Sequence, residues 1–147
     1  MANHLHRILV VASNGGVVER VLRSVPGHEI VLRTDFESAR LELDRHPPDL
    51  VVAQVRLGAF NGLHLAIRAR GRGLHTQTIL IGEPDAVLEL EARQQHARYL
   101  TWPVDQETLA ATIHDVLFSA DATLSDSSFV ATGSTDGPAM AAAAWSN

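Results

Sequence analysis

The residues that could carry chemistry in this 147-residue chain stand at the ends of short apolar runs. Ser13, Asn14, Gly15 and Gly16 follow the run Ile8 to Ala12, Gln54 and Arg56 follow Leu50 to Ala53, Gly82, Glu83 and Asp85 follow Thr78 to Ile81, and Trp102 closes "ARYLTW". "ASNGG" brings a hydroxyl, a carboxamide and free backbone N–H groups to a strand-to-helix turn, where the positive end of a helix can receive an anion. Arg56 is the nearest cation in sequence. Ser13, Asn14 and Arg56 are therefore candidate contacts for a small anionic ligand, although Asn-Gly-Gly also reads as a plain flexible turn. Glu83 and Asp85 are accounted for by the preference of acids for helix starts. The GxGxxG and GxSxG signatures are absent, and Ser13 has no assignable histidine base.

Composition removes whole classes of chemistry. With no cysteine there is no disulfide, thiolate nucleophile or cysteine metal site, and all 12 basic residues are arginine, so there is no Schiff-base or P-loop lysine. The eight histidines are scattered singles without i, i+4 partners, and no ligand set can be assembled from them. No metal or other cofactor is expected. Seventeen acidic residues outweigh the arginines for a net charge of −5, and no basic stripe runs along the chain, so nucleic acid is not an expected partner. "RARGRG", Arg68 to Gly73, is a local exception that reads as a solvated helix end. No apolar run approaches the roughly 20 residues needed to span a bilayer, and "MANHLHR" lacks an export pattern. No membrane association is expected, and the expected location is the cytoplasm.

The elements that must position these residues alternate. "ILVVA", "LVVA" and "TILI" are β-branched with almost no polar alternation, as strands buried on both faces require, whereas "HEIVLR" and "ARYLT" mix polar and apolar residues as edge strands do. Between them the apolar period becomes helical at Val17, Val21 and Leu22, at Phe36, Ala39 and Leu43, at Leu63, Ala66 and Ile67, at Val87, Leu88 and Ala92, and at Leu109, Ile113, Val116 and Leu117. Pro103 with Asp105, and Pro84 with Asp85, suit the starts of the last two helices. Five strand–helix repeats in about 118 residues predict an α/β fold, a doubly wound five-stranded parallel sheet with helices on both faces. The predicted division is a domain over 1–119 and a disordered or partner-binding tail over 120–147, in which "AMAAAAW" is too short to hold a helix alone.

In this order the landmarks resemble the receiver domain of bacterial response regulators, over about residues 6 to 118. "RILVVASN" stands where that family has a strand ending in paired acids, "PPDLVVAQVRLGAFNG" where it has the phosphoacceptor strand and loop, and "ARYLTWPVDQETLAATI" where it has the fifth strand, a lysine–proline pair and the last helix. Pro48, Asp49, Gly62 and Pro103 fit. The resemblance implies a flavodoxin-like (βα)5 fold and a place in two-component, phosphorelay-type signalling.

For the chemistry of that family the sequence is negative at each position. Phosphoryl transfer to an aspartate needs a carboxylate nucleophile, acids that hold magnesium, a hydroxyl and a neutralising lysine. The corresponding positions here are Gln54, Ala12 with Ser13, Gly82 and Trp102. Magnesium is not expected. With no phosphate to neutralise, the indole can fold inward over the strand ends, and a filled, rigid pocket is the expectation. Tyr99 matches the family's mobile aromatic, whose rotamer is coupled to the hydroxyl residue, and Gly82 cannot take part in that coupling.

The expected function is that of a stand-alone pseudo-receiver, not an enzyme, which binds a signalling protein or a second copy of itself through a fixed face with candidate contacts Leu88, Arg98, Tyr99 and His114. The alternative is a sensor of a small anionic ligand in the crevice at the strand ends, where doubly wound folds bind ligands.

Overall fold

The structure, a computed structural model, describes residues 5–118. The tail read over 120–147 lies outside the described residues.

Five strands, β1 (Arg7–Val11), β2 (Glu29–Arg33), β3 (Leu50–Gln54), β6 (Gln77–Gly82) and β7 (Arg98–Thr101), form one sheet in the order β2-β1-β3-β6-β7, every pair parallel. The polar–apolar mixing of β2 and β7 places them at the two edges, as their sequences require. Strands β1, β3 and β6 are buried almost throughout because helices cover both faces. Their side chains alternate between two cores. Leu9, Val11, Val51, Ala53 and Leu80 meet α2 (Phe36–Arg45), α3 (Leu63–Gly71) and α4 (Ala86–Gln94). Ile8, Val10, Leu50, Val52, Ile79 and Ile81 meet α1 (Gly15–Ser24) and the helix α5 over 106–118.

Side-chain caps fix where the helices begin. Asn14 Oδ1 accepts from the N–H groups of Gly16 and Val17, Asp35 from Ser38, Asp85 from Val87 and Leu88, and Asp105 from Thr108. Those at Asp85 and Asp105 follow the expectation from sequence. A two-residue antiparallel pair, β4 (Arg56–Leu57) with β5 (Phe60–Asn61), had no periodic signal and interrupts the β3–α3 connection.

One surface reading is corrected. "RARGRG" is not merely a solvated helix end. Arg68 forks onto Asp44 of α2 through Nε and Nη2 at 2.8 and 2.7 Å, Arg72 reaches the same carboxylate at 2.6 Å, and Arg70 donates to the Gln94 carbonyl of α4. Paired guanidinium groups hold the Asp44 carboxyl far below the usual carboxylate range. The end of α3 is tied to both neighbouring helices.

Candidate functional site

The carboxyl ends of β1, β3, β6 and β7 converge on a crevice of about 180 Å³. Its lining includes Asn14, Gln54, Arg56, Gly82, Glu83, Tyr99 and Trp102. The sequence-predicted residues Gln54, Gly82, Trp102, Asn14, Arg56, Tyr99 and Leu88 thus meet in one place. Ala12 is buried in the core on the α1 face, Ser13 touches the site through its backbone, and Arg98 and His114 lie on the exposed surface away from the crevice.

Gln54 organises one side. As the last residue of β3 it points toward the β1–α1 turn, where its Oε1 accepts the N–H of Ser13 at 2.6 Å and of Asn14 at 2.8 Å. Two donors fix the carboxamide orientation, since only the oxygen can accept, and direct Nε2 away from the turn. The amides that could have cradled an external anion are already satisfied from within the chain. Beside them Gly62 passes so close to β3 that a Cβ there would lie 2.2 Å from the Gln54 carbonyl oxygen, and its N–H donates to the Val55 carbonyl. No residue but glycine fits.

Trp102 closes the α1 side of the crevice without filling it. The indole is half-buried against the α1–α5 core, its Cζ2 would be 3.5 Å from a Cβ at Gly16, and the Arg20 guanidinium sits over the ring at 5.5 Å from its centroid. The peptide bond to Pro103 is cis. The expectation of a filled pocket is therefore corrected: the ring lies against α1 and leaves the crevice open between itself and Tyr99, because glycine at position 16 and the side chain of Arg20 receive it.

Tyr99 forms the opposite wall. Its hydroxyl donates to the Glu83 carbonyl and occupies space that a side chain at Gly82 would claim: a Cβ there would meet the phenol oxygen and Val55 Cγ2, each at 2.9 Å. Burial first, then the negative charges of Asp85, Glu89 and Glu83, push the Tyr99 phenol above its ordinary range. On its outer side Tyr99 borders a broad groove of about 570 Å³ between α4 and β7, with Glu89, Arg93, His96 and Arg98 around it. Leu88, a candidate for surface contact, instead packs inward beside Tyr99. The outward apolar residues of α4 are Val87 and Leu90, 65% and 53% exposed; the helical period read from the sequence included Val87 but not Leu90. Arg98 pairs with Asp115 of α5.

A receiver pocket would hold magnesium, and the residues do not suit it. Ala12, Ser13 and Gln54 supply no carboxylate to a cation that prefers anionic oxygen. Elsewhere the sheet brings together two histidines that the sequence separated: the His6 N–H donates to His28 Nδ1, with the rings 5.2 Å apart. Among the described residues no three His, Cys, Asp or Glu side chains gather as a metal site, and no helix is long and apolar enough to cross a membrane.

Comparison with known proteins places this geometry in a structural class. No protein-family model and no curated protein matches the sequence. Among solved structures, the chain is similar to the signal receiver domain of an HD domain-containing protein from Pseudomonas fluorescens Pf-5, with 22% identity, a TM-score of 0.76, and coverage of 85% of this chain and 96% of that one. It is similar to a CheY-like response regulator receiver domain protein from Methanospirillum hungatei JF-1, at 17% identity and a TM-score of 0.72 over 82% of this chain and 99% of that one. The chemotaxis response regulator CheY4 of Vibrio cholerae aligns at 19% identity and a TM-score of 0.69 over 78% of this chain and 100% of that one. The chain has the flavodoxin-like receiver-domain fold.

Proposed function

We propose that this chain is a phosphorylation-incompetent signalling module, not an enzyme, that acts by binding a protein partner through the face made by α4, β7 and α5. The receiver fold supports a signalling role, and the residue types at the crevice support the loss of phosphoryl chemistry. Gln54 offers a carboxamide in place of a nucleophilic carboxylate, and Trp102 stands where a lysine would neutralise charge.

The contact between Gly82 and Tyr99 carries the proposal. With no side chain at position 82, the tyrosine hydroxyl rests inside and bonds to the Glu83 carbonyl. The groove on its outer side is then open without any modification. Val87 and Leu90 are the exposed apolar residues of the same helix α4, and Arg98, which lines the groove, pairs with Asp115 of α5. A partner, whether a signalling protein or a second copy, reads a surface set in one arrangement.

The test compares the full-length protein with Val87→Asp and Leu90→Asp variants in quantitative co-purification from its own source, followed by reconstitution with the purified partner. Loss of the complex in both variants, with unchanged melting, is expected. A complex that survives both would contradict this face.

A further inference from the structure

The crevice retains polar groups that the fold does not use. Gln54 Oε1 is held by two amides, so Nε2 is a donor with no acceptor among the described residues. Arg56 lines the same crevice and makes no ion pair among the described residues, although it is close enough to oppose the rise in the Tyr99 pKa. Both groups suit a carboxylate. Glu83 also lines the crevice, and its carboxylate has no cationic partner among the described residues, while the Asp85 side chain accepts from the α4 amides. Between these charges the lining is apolar: Val17, Val55, Ile81 and Leu88, with the Trp102 indole as one wall.

We infer that the crevice is a binding site for a small zwitterion, an α-amino acid with an apolar side chain. A simple anion would meet Arg56 but also two carboxylates, and the Ser13 and Asn14 amides that would favour it are already taken. A simple cation would leave Arg56 and Gln54 Nε2 without acceptors. A ligand with a carboxylate at Gln54 and Arg56, an ammonium toward Glu83 and an apolar body against Val55, Ile81 and Trp102 satisfies all three sets. The volume, about 180 Å³, is below the roughly 300–1,000 Å³ of pockets for drug-sized ligands and suits a metabolite of this size. This site is separate from the α4–β7–α5 face, with Tyr99 as the wall between them, so occupancy does not require a protein partner.

The experiment titrates full-length protein with L-leucine, L-valine and L-phenylalanine while recording the Gln54 side-chain amide and Trp102 indole resonances. Isovalerate and isoamylamine, which carry one charge each, serve as the paired controls. Saturable movement of both resonances with at least one amino acid is expected, and Arg56→Gln and Glu83→Gln should each weaken that binding by about tenfold or more while the rest of the spectrum stays folded. Absence of movement with all three amino acids would overturn the site. Equal binding of isovalerate or isoamylamine, or full affinity in either variant, would overturn the zwitterion as its ligand.

Discussion

Gln54 Oε1 lies 2.6 Å from the Ser13 amide nitrogen and accepts its hydrogen, so a β3 side chain caps the turn that follows β1. Where an external anion could have bound those amides, the chain supplies its own acceptor. Gln54→Ala leaves two N–H groups to water at a partly exposed site and should cost about 1 kcal/mol in denaturant unfolding. Gln54→Glu keeps the acceptor at the positive end of α1 and should retain stability at neutral pH.

Gly62→Ala should be more damaging than any change at the crevice rim. The new Cβ would be 2.2 Å from a backbone oxygen that cannot rotate away, and β3 or the α3 entry must move. A loss exceeding about 2 kcal/mol is expected from chemical denaturation.

Tyr99 is the sole tyrosine, which makes its environment directly readable by absorbance titration. The wild-type phenol should ionise above the ordinary value of about 10. Because the folded pKa is raised, the unfolded chain releases this proton first, and the associated stability is lost as pH rises above the ordinary phenol value. Gly82→Ala places a Cβ 2.9 Å from both the hydroxyl and the buried Val55 Cγ2, so Val55 must shift and the phenol should yield by turning outward, with some loss of stability. Its titration should then return toward the ordinary range.

Trp102→Lys removes a half-buried ring from the α1–α5 core and sets an ammonium beside Arg20. A stability loss of about 1–2 kcal/mol is expected, measured by thermal or denaturant unfolding.

Asp44 should carry part of the acid sensitivity. Its folded pKa is depressed, chiefly by the Arg68 hydrogen bonds, so its contribution is present above the unfolded aspartate value of about 3.9 and is lost as pH falls below it. Asp44→Asn should be less stable than wild type at neutral pH, and the gap should narrow in acid, as followed by unfolding across a pH series.

Much of the fold was legible because burial leaves local patterns: unbroken β-branched runs marked β1, β3 and β6, and polar mixing marked β2 and β7 as edges. Asp85 and Asp105 were readable as caps because a capping carboxylate acts within three residues of its own position. The site was legible as a set of positions but not as contacts. That Gln54 reaches Ser13, 41 residues away, or that Arg68 finds Asp44 depends on how strands and helices stack. The same limit applies to Trp102, whose rest against Gly16 and Arg20 left open a crevice that its size had suggested it would fill. Leu88 and Leu90 are both apolar but two residues apart, so they cannot share a helix face, and the packing of α4 on the sheet turns the first inward and leaves the second out.

The most direct test of a surface set without phosphorylation is to expose the full-length protein to acetyl phosphate and magnesium and follow the amide resonances of α4 and β7 together with intact mass. The account predicts no mass gain and no movement of Tyr99 or its neighbours. A saturable shift at Gln54 and Tyr99 accompanied by the mass of one phosphoryl group would contradict it.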